Sequence, residues 1–217
     1  VSTVSEPRRI TMTPAARRAL AAAERLFYAR GIHAVGVDLI AAEAGVTKKT
    51  LYDRFGSKEQ IVVEYLAARD ERWRVFLDGL LDAAPPEPRA RVLAVFDASL
   101  AWTRSQESHA KGCGMVNAHA EISDASHPAY PVITGQKQWM LALFTRLARD
   151  VVQDGAGSWE RAESLGRSLM LLHEGAFVAH GLRIFPDPFG RARAQAETLL
   201  AGAGEPAAPH GVVTPHA

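Results

Sequence analysis

At 217 residues, 47% hydrophobic and 23% charged, the chain can bury one or two sizeable cores and has the balance of an ordinary globular protein. Its lone cysteine, Cys113, excludes an internal disulfide and suits a reducing compartment. The net charge of +1 argues against a non-specific DNA-compacting chain, but it is unevenly spread: residues 1–58 hold ten Lys/Arg against five Asp/Glu, leaving fifteen against nineteen in the remainder.

In chain order, Pro7, Arg8 and Arg9 interrupt the N-terminus and Arg17 and Arg18 follow, so no secretory signal peptide is expected there. A first helix is predicted from Thr13-Pro14, a cap followed by proline, to just before Gly31, with Ala16, Leu20, Ala23, Leu26 and Phe27 facing inward. A short second helix covers 37–44 and ends at Gly45. A third runs from Thr47 to Phe55 and stops at Gly56. Ser57-Lys58-Glu59-Gln60 fits a capping box opening a long fourth helix, whose stripe is Ile61, Tyr65, Trp73, Phe76, Leu77 and Leu80. After the break at Ala83-Ala84-Pro85-Pro86-Glu87-Pro88, helices are predicted at 89–106, 114–122, 129–154, 158–184 and 188–202. Asp187-Pro188 would start the last. The apolar stretch Leu165 to Phe185 carries Arg167, His173, Glu174, His180 and Arg183, which argues against a membrane span. The expectation is an all-α, cytoplasmic protein: a head at 1–58, a helical bundle at 59–202 for ligand binding and dimerisation, and a disordered tail at 203–217.

The turn at Gly45 has the form of a helix-turn-helix, two short helices joined tightly with the second exposed. Leu51 and Phe55 are four apart and face inward against Ile40 and Phe27, while Val46 fills the space between the helices. That leaves Lys48, Lys49, Thr50, Tyr52 and Arg54 outward, a polar surface suited to a DNA major groove. By side-chain chemistry, Thr47, Tyr52 and Lys58 are expected on phosphates, and Lys48, Lys49 and Thr50 nearest the base edges. Arg54 fits either a guanine or a phosphate.

The run from Leu39 to Glu59, with Ala44-Gly45-Val46-Thr47 and Leu51-Tyr52-Asp53-Arg54-Phe55-Gly56-Ser57-Lys58 at its centre, resembles the DNA-binding signature of the TetR family of regulators. Ala22 to Gly31 resembles that family's first helix, and the likeness spans about residues 16–66. It implies an N-terminal three-helix DNA-binding domain on a C-terminal helical bundle. It further implies a homodimer on double-stranded operator DNA whose C-terminal domain binds a small-molecule effector. From the residues themselves a largely apolar effector, no cofactor, no enzymatic activity and no membrane partner are expected. Two departures stand out. Gly36 occupies the place where the family usually has a Thr or Ser opening helix two, and Asp38 lies near where other members place a DNA-facing residue.

In the second half, Gly112 to Glu121 resembles a segment near the inducer pocket in one branch of the family. Trp102, Cys113, Met115, His119, Trp139, Phe144, Met170, His173 and Phe177 are the pocket candidates, although for any single one of them ordinary core is the better reading. Cys113 between two glycines reads as a buried packing residue or as a sensing thiol. His109, Cys113, His119 and Glu121 invite a metal reading, but His119 and Glu121 are two apart and would not share a helical face. A nucleophilic Cys113 with His119 or His109 as base lacks an orienting third residue. Gly175, Ala176, Ala179 and Gly181, with the Leu-rich helix from Ala192 to Leu200, are expected to form a two-fold dimer interface.

Overall fold

Helix starts follow the cap chemistry of the sequence. Thr13 Oγ1 accepts from Ala16 N at 3.2 Å with Pro14 in the first helical position, and Ser57 Oγ accepts from Gln60 N at 3.1 Å. Asp187 Oδ1 accepts from Gly190 N at 3.1 Å just ahead of the final helix. The computed structural model describes residues 9–105, 111–152, 155 and 157–203. Among them the regular structure is all helix: α1 (Pro14–Arg30), α2 (Val37–Ala44), α3 (Lys48–Phe55), α4 (Lys58–Ala83), α5 (Pro88–Arg104), α6 (Gly114–Glu121), α7 (Tyr130–Val151), α8 (Ser158–Leu182) and α9 (Pro188–Ala203). The all-α expectation holds. α7 stops at Val151, short of the predicted 154, and α9 continues through Ala203, the first residue of the expected tail. Residues 204–217 and His109 lie outside the described residues.

Two hydrophobic clusters organise the chain. The first joins α1, α2, α3 and the first turns of α4 through Phe27, Ile40, Leu51, Phe55, Ile61 and Leu66, and it also takes in Met115 and Ala118 of α6 and Ile122 just after it. The second packs the rest of α4 with α5, α7, α8 and α9 around Leu77, Phe96, Met140, Phe144, Leu169 and Leu200. Each side chain of that size, fully withdrawn from water, contributes roughly 1.5–3 kcal/mol. α4 runs unbroken through both clusters. On it Leu81, at 4% exposure, is buried where Leu80 was expected, and Leu80 faces solvent.

Several backbone approaches in the body admit no side chain. A Cβ at Gly166 of α8 would lie 2.8 Å from Thr145 Cα of α7, so these helices pack unusually close. Gly112, at φ 77°, would drive a Cβ to 2.9 Å from Phe177 O, and Gly181 faces Gly112 in return. Ala176, Ala179 and Gly181 therefore pack within the chain, not on an outer dimer face as expected; of the four small residues only Gly175 has open space. The large apolar residues exposed in the C-terminal half of α8 are Leu171, Val178 and Leu182. Among the described residues no helix is long and apolar enough to cross a membrane.

Candidate nucleic-acid interface and interior pocket

The turn before α3 is built almost wholly from backbone. Gly45 sits in the left-handed region at φ 61°, ψ 41°, which lets Gly45 N donate to Ala42 O at 3.2 Å and Val46 N to Ala41 O at 3.0 Å. Arg18 Nε reaches Ala44 O at 3.4 Å, so the Ala41, Ala42 and Ala44 carbonyls at the end of α2 all have partners. Thr47 then caps α3: its hydroxyl accepts from Thr50 N at 3.0 Å and lies 2.8 Å from the Thr50 hydroxyl. Leu51 at 1% and Phe55 at 5% exposure anchor the inner face.

The opposite face of α3 carries the predicted contacts. Thr47, Lys48, Lys49, Tyr52 and Arg54 are exposed, Thr50 and Lys58 half-buried. Two of the lysines are held by acids. Lys48 Nζ is 3.0 Å from Asp38 Oδ2, a bond that raises the lysine's pKa, and Lys49 Nζ is 2.7 Å from Asp53 Oδ2 one turn on. Asp38 thus ties α2 to the outer face of α3. Gly36 caps α2 with extended backbone and no side-chain bond, and a Cβ there would meet nothing.

α6 links this head to the body. Glu121 at its end accepts from Ile32 N at 2.9 Å and His33 N at 2.7 Å, in the turn after α1. Burial raises the carboxyl's pKa, but these N–H bonds and His33 outweigh it and leave it lowered. At the other end of α6 the Tyr28 hydroxyl donates to Gly112 O at 3.2 Å and accepts from Lys111 N at 3.1 Å. Of the residues read as metal ligands, Glu121 is committed to this clamp. Among the described residues no three His, Cys, Asp or Glu side chains group to hold an ion.

Two neighbouring hollows flank the Gly112–Gly114 turn. A cleft of about 660 Å³ opens between the C-terminal part of α1, α6 and the end of α8. A small interior cavity of about 40 Å³ lies between α4, α5, α7 and α8. Cys113, Gly114 and Phe177 line both. Of the nine predicted pocket residues, Trp102, Cys113, Met115, His173 and Phe177 meet at the interior cavity. The other four lie elsewhere. His119 stacks near Tyr130, Trp139 lies beneath the Arg74 guanidinium at 4.3 Å, Phe144 is core between Phe96 and His173, and Met170 packs on the body's core.

The cavity's polar wall went unread in the sequence: Arg69 and Asp70 on α4, Gln136 and Lys137 on α7. A signal was present. Arg69 falls in the four-residue stripe of Tyr65, Trp73 and Leu77, and Gln136 and Lys137 fall between Ile133 and Met140 on the buried face of α7. Lys137 Nζ lies 2.8 Å from both Glu174 oxygens and 3.2 Å from Cys113 Sγ. Burial would raise the Glu174 carboxyl, but His173 and the Lys137 ammonium hold it down at about 2. Burial keeps His173 below its ordinary value, so its ring is neutral near pH 7.

Known proteins sharpen this picture. No curated protein matches the chain in sequence. The family model "Bacterial regulatory proteins, tetR family" matches residues 19–65, the span from mid-α1 into α4. Among solved structures, a TetR-family transcriptional regulator from Streptomyces coelicolor is 32% identical, with a TM-score of 0.79, over 90% of this chain and 92% of that one. The reduced form of NemR from E. coli (23% identity, TM-score 0.68, 84% and 95% covered) shares the fold. So does a TetR transcriptional regulator from Legionella pneumophila (17%, 0.71, 87% and 98%). With the Gly45 turn, the exposed α3 and a likeness that runs through head and body alike, the chain belongs to the TetR family of transcriptional regulators.

Proposed function

We propose that this chain is a ligand-responsive repressor that binds a palindromic operator as a homodimer and is released by a small-molecule effector. Residues 1–58 bind DNA, and residues 59–202 bind the effector and the second subunit. The observation that carries the reading is the α3 surface, whose inner face is locked by Leu51 and Phe55 while its outer face offers only polar groups. Lys48, Lys49 and Thr50 read base edges; Thr47, Tyr52 and Lys58 hold phosphates; Arg54 serves one or the other. One proton of the Thr47–Thr50 hydroxyl pair is left to donate outward, so phosphate binding needs no loss of the cap.

Pairing is supported by the outer stripe of α8. Leu171, Gly175, Val178 and Leu182 recur at helical spacing, Leu171 is 75% and Leu182 69% exposed, and Leu199 of α9 is exposed as well. Two heads about 34–36 Å apart, or a multiple, would select a two-fold site. The effector reading draws support from the size of the cleft, which falls within the roughly 300–1,000 Å³ of ligand sites.

Binding to DNA from the protein's own promoter region, titrated with salt, tests the reading. Lys48→Ala should weaken specific binding by about 1–3 kcal/mol and relax one base position, whereas Tyr52→Phe should weaken all sequences alike. Equal affinity for promoter and random DNA would refute sequence-specific regulation. A monomer at micromolar concentration would refute the pairing.

A further inference from the structure

Three buried polar atoms of residues lining the interior cavity have no hydrogen-bond partner: Asp70 Oδ1, Gln136 Oε1 and His173 Nδ1. Gln136 is 7% and His173 2% exposed, so bulk water does not serve them. The two oxygens are acceptors by nature. His173 is placed differently, with Nε2 2.9 Å from the Ser99 hydroxyl and Nδ1 facing Glu174 Oε1 at 3.5 Å. Buried acceptors are rarely left without donors, and two around one cavity point to a shared partner.

Charge adds a second requirement. Lys137 has Glu174 and Arg74 has Asp70, but Arg69 on the same wall is only 7% exposed and has no carboxylate within 4 Å among the described residues. Its guanidinium lies 5.1 Å from the Tyr28 ring centre, a contact that leaves the charge unneutralised. The apolar part of the lining is Trp73 and Trp102, edge to face at 5.5 Å, with Met115 and Phe177 beside them.

We propose, resting on the effector reading above, that this cavity receives a small aromatic acid carrying a hydroxyl or N–H donor. The ring lies against Trp73 and Trp102, the donor serves Gln136 Oε1, and the acid group pairs with Arg69. A cationic amine would suit the unserved Asp70 oxygen but meets both Arg69 and Lys137, so it is expected to bind least. A volume of about 40 Å³ holds no ring, so the ligand must part the walls, and the Gly112–Gly114 turn shared with the large cleft is the wall between two hollows.

Calorimetric titration of the full chain with four probes tests this: 4-hydroxybenzoate (donor and anion), benzoate (anion), phenol (donor) and tyramine (donor and cation). 4-Hydroxybenzoate should bind tightest, with benzoate and phenol each about tenfold or more weaker and tyramine weakest. Gln136→Leu should leave the unfolding temperature unchanged or raised, because it removes an unserved acceptor, yet shrink the preference for 4-hydroxybenzoate over benzoate. Arg69→Met should weaken 4-hydroxybenzoate and leave phenol unaffected. Equal binding of benzoate and 4-hydroxybenzoate, tighter binding of tyramine, or no binding by any probe overturns the proposal. The expected order without release of promoter DNA sinks the effector reading and spares the ligand class. Release by a molecule lacking donor or acid sinks the class and spares the effector reading.

Discussion

The recognition surface and the interior cavity solve opposite problems with similar side chains. On α3, charged groups stand in water and are held loosely by neighbours a few residues away, Lys48 by Asp38 and Lys49 by Asp53. Such exposed pairs are worth little and exchange readily for phosphate. Around the cavity, Arg69, Lys137 and Glu174 are withdrawn from water and come from helices far apart in sequence, so each unmet charge or lone pair is costly. A surface can therefore trade partners freely, whereas the cavity selects.

The contrast can be broken most forcefully at the head's anchor. Leu51→Ala should cost about 2–5 kcal/mol, seen as an earlier thermal transition with loss of DNA binding. An unchanged transition would mean that α3 is not anchored from within. Next comes acid. Because Glu174's folded pKa of about 2 lies below the ordinary carboxylate value, its contribution is full above about pH 4.5 and lost as pH falls toward 2. Glu174→Gln should flatten that limb of the stability curve and leave DNA affinity near neutral pH untouched. Glu121→Gln, which keeps one acceptor where two N–H groups are held, should cost about 1.5–3 kcal/mol and weaken any effect of an effector on DNA binding. Smaller still, Asp38→Asn should free Lys48, tighten DNA binding a few-fold and steepen its salt dependence by about one ion. Least of all, Gly36→Ser should add a few tenths of a kcal/mol through a new cap on α2, with unfolding in urea as the readout.

The head was legible because its signals are local. Thr13-Pro14, Gly45, Thr47, Leu51, Phe55 and Ser57 act on residues within a turn or two, and each did what its position requires. The clamp between Glu121 and the turn at Ile32 and His33 was not legible, since it joins residues nearly ninety apart. Nor was the direction of α8. Small residues read as an outward interface instead admit the Gly112 turn, and only packing decides which side of a helix a glycine serves. Trp102 and Phe177 of the cavity were found from size and apolarity; its polar half, Arg69, Asp70, Gln136 and Lys137, went unread because only the packing of α4 and α7 turns those residues inward.

α4 has a mechanical consequence. Its 26 residues form a continuous rod of about 39 Å, with one end among the head's core residues and the other among the body's. A tilt of about 6° over that length displaces the far end by roughly 4 Å, more than the 3.4 Å rise between successive nucleotides along one strand. In a two-fold pair, mirrored tilts would add, so heads in register with successive grooves could be thrown out of register by an angular change smaller than the usual scatter of helix crossing angles.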